Sequence, residues 1–236
     1  MSIAENIAAV RQQMDQAARE TGRTGADVIL VGASKMNDAA ACREAIAAGI
    51  DVLGENRVQE MTEKLSQNAY DGAPLHFIGH LQRNKVKQVV GKVALIQSVG
   101  SLPLLEAVEK EAEKQGIVQD ILLEVNIGEE ASKSGFAAED ILPLMEKIGE
   151  FSNICIKGLM AIPPISHISG ENQKFFQKMF HLSVDIRQKK YDNVKVDCLS
   201  MGMSGDFADA IASGSTMVRV GTAIFGARDY ARDSSK

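Results

Sequence analysis

The chain of 236 residues has no tryptophan, three tyrosines and five prolines. Aromatic residues make up 5% of it, so its core has to be filled mainly by aliphatic side chains. The three cysteines, Cys42, Cys155 and Cys198, are odd in number and far apart, and fit neither a disulfide framework nor a metal knuckle. They read as small buried hydrophobes in a reducing compartment. No run approaches the roughly 18 apolar residues that span a bilayer. The start, MSIAENIAAVRQQM, lacks a signal peptide's hydrophobic stretch. Positive charge is not in excess either. Twenty-six basic against 31 acidic residues leave a net charge of −5, which argues against coating nucleic acid or an anionic membrane. The expected protein is soluble and cytoplasmic, with no nucleic-acid or membrane partner.

What is present is apolar: 45% of the chain, far more than a disordered segment carries. At about 150 residues per domain, the length allows one large domain or two small ones. Ile3, Ile7, Val10 and Met14 stand at helical spacing and predict a first helix. Strand-like runs then follow at Val28 to Val31, Ile50 to Leu53, Leu75 to Ile78, Val93 to Ile96 and Ile121 to Val125. Three more lie at Ile154 to Met160, Val194 to Leu199 and Met217 to Val220, with amphipathic segments such as Leu104 to Lys114 and Phe175 to Ile186 between them. Alternation of this kind implies parallel strands with right-handed crossovers, and eight units close into a (β/α)8 TIM barrel, usually of about 250 residues. The rival is an open doubly wound sheet, but the first strand runs into Gly32-Ala33-Ser34-Lys35, not the G-x-G-x-x-G turn such sheets usually carry. With no repeat and no linker, residues 1–236 are expected to form a single α/β barrel domain with an extra N-terminal helix.

Active sites of such barrels form where strands end and loops begin. Lys35 follows the first strand directly. A desolvated lysine there can attack a carbonyl as the free amine and form a Schiff base; a solvated lysine does nothing of the kind. Ser204-Gly205-Asp206 after the seventh strand and Gly221-Thr222 after the eighth stand where barrels commonly bind phosphate; the same residues also suit ordinary turns and caps. A Schiff base and a phosphate together suggest an aldehyde that bears a phosphate, such as pyridoxal phosphate. His76 and His80 have the spacing of two zinc ligands on a helix, but His76-Phe77-Ile78 reads as strand, so they are expected to be core or loop residues. Arg83, Lys85, Lys87 and Lys92 read as a solvated basic face.

Longer motifs are also present: GENRVQE from Gly54, HFIGHLQRNK from His76, GLMAIPP from Gly158, SMGMSGDF from Ser200 and STMVRVGTAIFGARDY from Ser215. On these motifs, over nearly the whole chain, the sequence resembles the pyridoxal phosphate homeostasis family, single-domain relatives of the barrel domain of alanine racemase. The resemblance implies a TIM barrel that holds pyridoxal phosphate as an internal aldimine, a Schiff base on Lys35. It places Ser204, Gly221 and Thr222 at the phosphate, with Met203 and Gly205 supplying neighbouring backbone. It sets Arg219 at the pyridine nitrogen and Asn56 at the cofactor's edge. The family commonly continues after its lysine with Thr and a nearby Pro, whereas Met36-Asn37-Asp38 stand here, which bears on the shape of that loop. The resemblance implies a protein that buffers and delivers the cofactor to apoenzymes and affects amino-acid and keto-acid balance, with no robust activity of its own.

Residue chemistry agrees with a carrier. Arginine only donates, so Arg219 would keep the ring nitrogen unprotonated and the cofactor a weaker electron sink. Racemisation needs acid–base groups on both faces of the substrate carbon. Lys35 serves one face, but Tyr70, Tyr191 and Tyr230 do not stand at predicted strand ends, and only sixteen residues follow Val220, too few for a racemase's second domain. The alternatives are a pyridoxal-phosphate-dependent racemase or lyase, and a phosphosugar-binding barrel with an unmodified Lys35. The protein is expected to be a monomer.

Overall fold

The computed structural model describes residues 1–130, 133–166, 168, 170–189 and 191–226, and within them the chain forms a closed barrel of eight parallel strands. β1 (Ile29–Ala33) pairs with both β2 (Val52–Glu55) and β8 (Met217–Val220), and this double pairing closes the ring. Between them run β3 (Leu75–Phe77), β4 (Leu95–Val99), β5 (Gln119–Val125), β6 (Ile154–Ala161) and β7 (Val194–Met203) in sequence order. The α/β TIM barrel expected from the alternation is the observed fold.

The extra helix at the start, α1 (Ile3–Arg19), is fixed by a capping box in which Ser2 and Glu5 bond each other's backbone N–H. Its buried stripe, Ile7, Val10, Met14 and Ala17, follows the spacing read from the sequence and packs toward α2 (Ala39–Ala47), α7 (Phe207–Ala212) and α8 (Thr222–Phe225). The other crossovers carry α3 (Val58–Ser66), α4 (Leu102–Gln115), α5 (Ala138–Lys147) and α6 (Gln173–Gln188). Between β3 and β4 the helix is replaced by a short 3-10 segment, Arg83–Gln88, whose Arg83 and Lys87 are exposed as a solvated face should be.

Strand boundaries differ from the hydrophobic runs. β1 begins after Val28 and continues through Gly32 and Ala33, because these pair with Leu53 and Gly54. Val28 is buried by its neighbours but caps a 3-10 turn. β7 runs past Leu199 to Met203, where small and polar residues concealed its continuation. Burial makes a run apolar, but ladder pairing decides where a strand ends.

Successive side chains on a strand face opposite ways, so one set faces the helices and the other the lumen. The lumen floor is an apolar layer of Val31, Val52, Leu95, Leu122, Met160, Cys198 and Met217. Two residues further along the same strands stand Ala33, Gly54, Gln97, Glu124, Ile162, Ser200 and Arg219, a layer of mixed polarity. A third step reaches Lys35 and Asn56. Apolar packing thus gives way to polar chemistry toward the mouth formed by the C-terminal strand ends.

Candidate functional site

Lys35 leaves the end of β1 in a tight turn. Asn37 N–H donates to Ser34 O at 3.1 Å, and Asn37 Nδ2 donates to Lys35 O at 3.1 Å. Met36 has φ 63°, a left-handed conformation that is strained for a residue with a side chain. Its N–H donates to Glu60 Oε2 at 2.8 Å, which helps hold the turn. Beneath it Glu55, fully buried at the end of β2, accepts three bonds on Oε1: from Ser34 Oγ at 2.7 Å, Lys64 Nζ at 2.5 Å and Tyr70 OH at 3.1 Å. Lys64 also donates to Ser34 O at 2.8 Å. The lysine turn therefore rests on a buried ionic cluster. Burial, and then the negative Glu55, push the Tyr70 phenol well above its ordinary pKa, so it stays a donor.

The opposite wall is held by neutral groups. Arg219 on β8 is 4% exposed; Nη1 donates to Ser200 Oγ, and Nη2 donates to Ala161 O at 2.9 Å. Ser200 Oγ donates in turn to Gln97 Oε1 at 2.7 Å, and Gln97 Nε2 donates to His76 Nδ1 at 2.9 Å. Because an amide NH₂ only donates, His76 accepts through Nδ1 and carries its proton on Nε2. Burial pushes His76 down to about 4, so it is neutral near pH 7. Burial also lowers Arg219 to about 10, with Glu124 and Asp206 opposing, and leaves it charged at neutral pH. Glu124 is pushed up by burial, against the pull of Arg219 and His80.

Between these walls the ends of β7 and β8 supply a rim of small residues. Gly202 has φ 95°, and a Cβ there would lie 2.6 Å from Ala210 Cβ, so only glycine lets β7 turn beneath α7. The turn that follows is closed by Met203 N–H donating to Asp206 Oδ1 at 2.7 Å. Ser204 Oγ accepts from Gly221 N–H at 3.3 Å and lies 3.4 Å from Thr222 Oγ1. A Cβ on Gly205 would meet nothing within 4 Å.

All eight residues singled out in the sequence, Lys35, Asn56, Met203, Ser204, Gly205, Arg219, Gly221 and Thr222, line one cavity of about 290 Å³ at this mouth. Asn37, Ile78, Ile162 and Phe225 line it too and were missed. Ile78 had a readable signal, standing two residues after the lumen-facing His76. The supports behind the walls, Lys64, Tyr70, Gln97 and Ser200, were also missed: the first two stand away from any strand, and the last two lie inside strands that run beyond their apolar runs. His76 and His80 are not paired: the first is buried in the barrel and the second is exposed, with Nδ1 3.1 Å from Ser134 Oγ. Among the described residues, no cluster of three or more His, Cys, Asp or Glu is placed to hold a metal ion, and the three cysteines are free. Tyr70 bonds behind the lysine turn, Tyr191 stands at the far end of the barrel before β7, and Tyr230 lies outside the described residues. No helix among the described residues is long and apolar enough to cross a membrane.

Residues 2–229 match the family model described as alanine racemase, N-terminal domain. The pyridoxal phosphate homeostasis protein of Aquifex aeolicus is 40% identical over 230 residues, covering 98% of this chain and 100% of that protein. The chain belongs to the pyridoxal phosphate homeostasis protein family. PipY of Synechococcus elongatus PCC7942, solved with PLP bound, is 32% identical with a TM-score of 0.82, over 95% of this chain and 100% of PipY. Alanine racemase of Clostridium difficile 630 shares the fold alone, at 14% identity and a TM-score of 0.68, over 96% of this chain and 57% of that enzyme.

Proposed function

We propose that this member of the family binds pyridoxal phosphate in the mouth cavity, joined to Lys35 as a Schiff base, and holds it for delivery. The supporting observation is convergence: one lysine, one buried arginine and a rim of small residues face a single space. The residues fit the group. Its phosphate would take the rim at Ser204, Gly205, Gly221 and Thr222, where a helix start and glycine backbone present N–H donors. Arg219 would donate to the ring nitrogen, with Ser200 and Ala161 holding the guanidinium in place. Asn56 carries a buried Oδ1 with no hydrogen-bond partner among the described residues, a polar atom that a polar ligand would satisfy. At about 290 Å³ the cavity lies at the small end of the ~300–1,000 Å³ range of ligand sites.

When bound, the cofactor supplies an aldehyde and an electron sink. The Lys35 amine would join the aldehyde with loss of water, and another amine can displace it, so the linkage is reversible. Arg219 offers donors only, which disfavours a protonated ring and weakens the sink. Among the described residues that line the cavity there is no tyrosine to act as the opposed base that racemisation needs. This chemistry favours a cytoplasmic carrier that hands the cofactor to apoenzymes over a racemase or lyase.

The test is an absorbance titration with pyridoxal phosphate, followed by incubation with alanine in deuterium oxide. Wild-type protein should develop the Schiff-base band and Lys35→Ala should not. Exchange at the α-carbon should be slow and without inversion. A band that survives in Lys35→Ala would overturn the covalent assignment, and rapid exchange with inversion would make the protein an enzyme.

A further inference from the structure

Beside the mouth, between β4 and the start of α4, lies a separate cavity of about 480 Å³. His80, Leu81, Gln82 and Arg83 line it, so it uses the part of the HFIGHLQRNK motif that does not reach the first cavity. Ser98, Gly100 and Ser101 form its other side.

Ser98 follows the lumen-facing Gln97 at an irregularity of β4, where the register against β5 shifts between Ile96 and Val99, and there it lines this cavity. It is 3% exposed, and its Oγ is buried with no hydrogen-bond partner among the described residues. A buried hydroxyl left so is costly, which points to a partner that the described residues do not provide. Ser101 stands at the N-cap of the 14-residue α4, yet its hydroxyl makes no capping bond. Among the described residues the backbone N–H groups of Ser101 and Leu102 donate to nothing, and Pro103 has no N–H to add. Arg83 is exposed and in no ion pair among the described residues. Among the described residues no carboxylate lines the cavity. Glu124 is close but stands behind Gly100, where a Cβ would lie 3.2 Å from its Oε2.

We propose that this cavity is an anion site, in which a carboxylate or phosphate group is held by Ser98, the free amides at the start of α4 and the Arg83 guanidinium. Donors from three elements then converge on one acceptor, with the positive end of α4 behind them. The site shares no residue with the mouth cavity, so it stands or falls independently of pyridoxal phosphate binding there.

The experiment is titration of the full chain with sodium orthophosphate and, separately, with sodium acetate, followed in ¹⁵N–¹H spectra. Saturable shifts at the Ser101 and Leu102 amides are expected, and should persist in Lys35→Ala. Phosphate entering the mouth cavity would report instead at Gly205 and Thr222. Arg83→Ala, an exposed change that does not threaten the fold, should weaken the Ser101 response about fivefold to tenfold. Ser98→Ala should weaken it as well, while leaving the anion-free protein at least as stable. Tighter phosphate than acetate identifies a phosphate-bearing ligand, and the reverse order a carboxylate. Unsaturable shifts, or equal responses in the parent and both variants, would overturn the site. So would a Ser98→Ala protein less stable than its parent without anion.

Discussion

The two walls of the mouth cavity hold their key cation by different means. Behind Lys35, a charged pair in the interior, Glu55 with Lys64, accepts from Ser34 Oγ and Tyr70 OH on its carboxylate, and its ammonium donates to the backbone carbonyl of Ser34 in the turn. Behind Arg219, support passes through a serine, an amide and a neutral imidazole. The difference follows from what each side chain has to do. A turn strained at Met36 needs an anchor that resists movement, and a buried ion pair loses much if either partner goes. On the proposed function the guanidinium donates to an acceptor in the cavity, and a carboxylate bonded to it would compete with that role. Neutral acceptors at Ser200 and Ala161 orient it without neutralising it.

The largest test of this contrast removes one charge from the lysine wall. Glu55→Leu leaves the Lys64 ammonium, 8% exposed, without its partner. The expected loss is about 3–5 kcal/mol in urea unfolding. Adding Lys64→Met should restore much of it. A single variant as stable as the parent would mean that the cluster is not under tension from its buried charges.

On the arginine wall the corresponding effect is a pH dependence. His76 falls from 6.5 to about 4 on folding, so between these values the unfolded chain binds the additional proton. Stability therefore rises with pH across that window and is constant above it as far as this group is concerned. As pH falls from 6.5 to 4 the contribution lost approaches about 3 kcal/mol. His76→Gln should flatten the slope by about one proton, measured by denaturant unfolding at a series of pH values. An unchanged slope would place the titrating group elsewhere.

Smaller changes sharpen the comparison. Tyr70→Phe removes one of three donors to Glu55 Oε1 and is expected to cost about 0.5–1.5 kcal/mol. Ser200→Ala removes the link between Arg219 and Gln97, with a similar cost, but should also alter the cofactor's bound spectrum. A spectral change in Tyr70→Phe and none in Ser200→Ala would reverse the roles assigned to the two walls.

The barrel was legible because its strands are buried on both faces and therefore read as apolar runs, separated by helix-period segments. Strand ends were less so: Ser200 to Met203 continue β7 through pairing that composition does not reveal. Apart from Met203 and Arg219, which lie within strands, the mouth residues stand just beyond strand ends, where position carries information. Lys64 and Tyr70 lie on a helix and beyond it, and meet Glu55 only through tertiary packing. The i, i+4 spacing of Glu60 and Lys64 was visible, but it suggests an exposed helix pair, not a buried lysine turned toward the barrel. Gln97 and Ser200 could have been inferred from the period of two, since each follows a floor residue, Leu95 or Cys198, on its strand.

Lys35 is the proposed attachment point between these walls. Borohydride reduction of the protein loaded with pyridoxal phosphate fixes any Schiff base in place, and digestion with mass spectrometry then locates it. The added cofactor mass is expected on the peptide that contains Lys35. The same mass on a different lysine, or on none, would contradict that assignment.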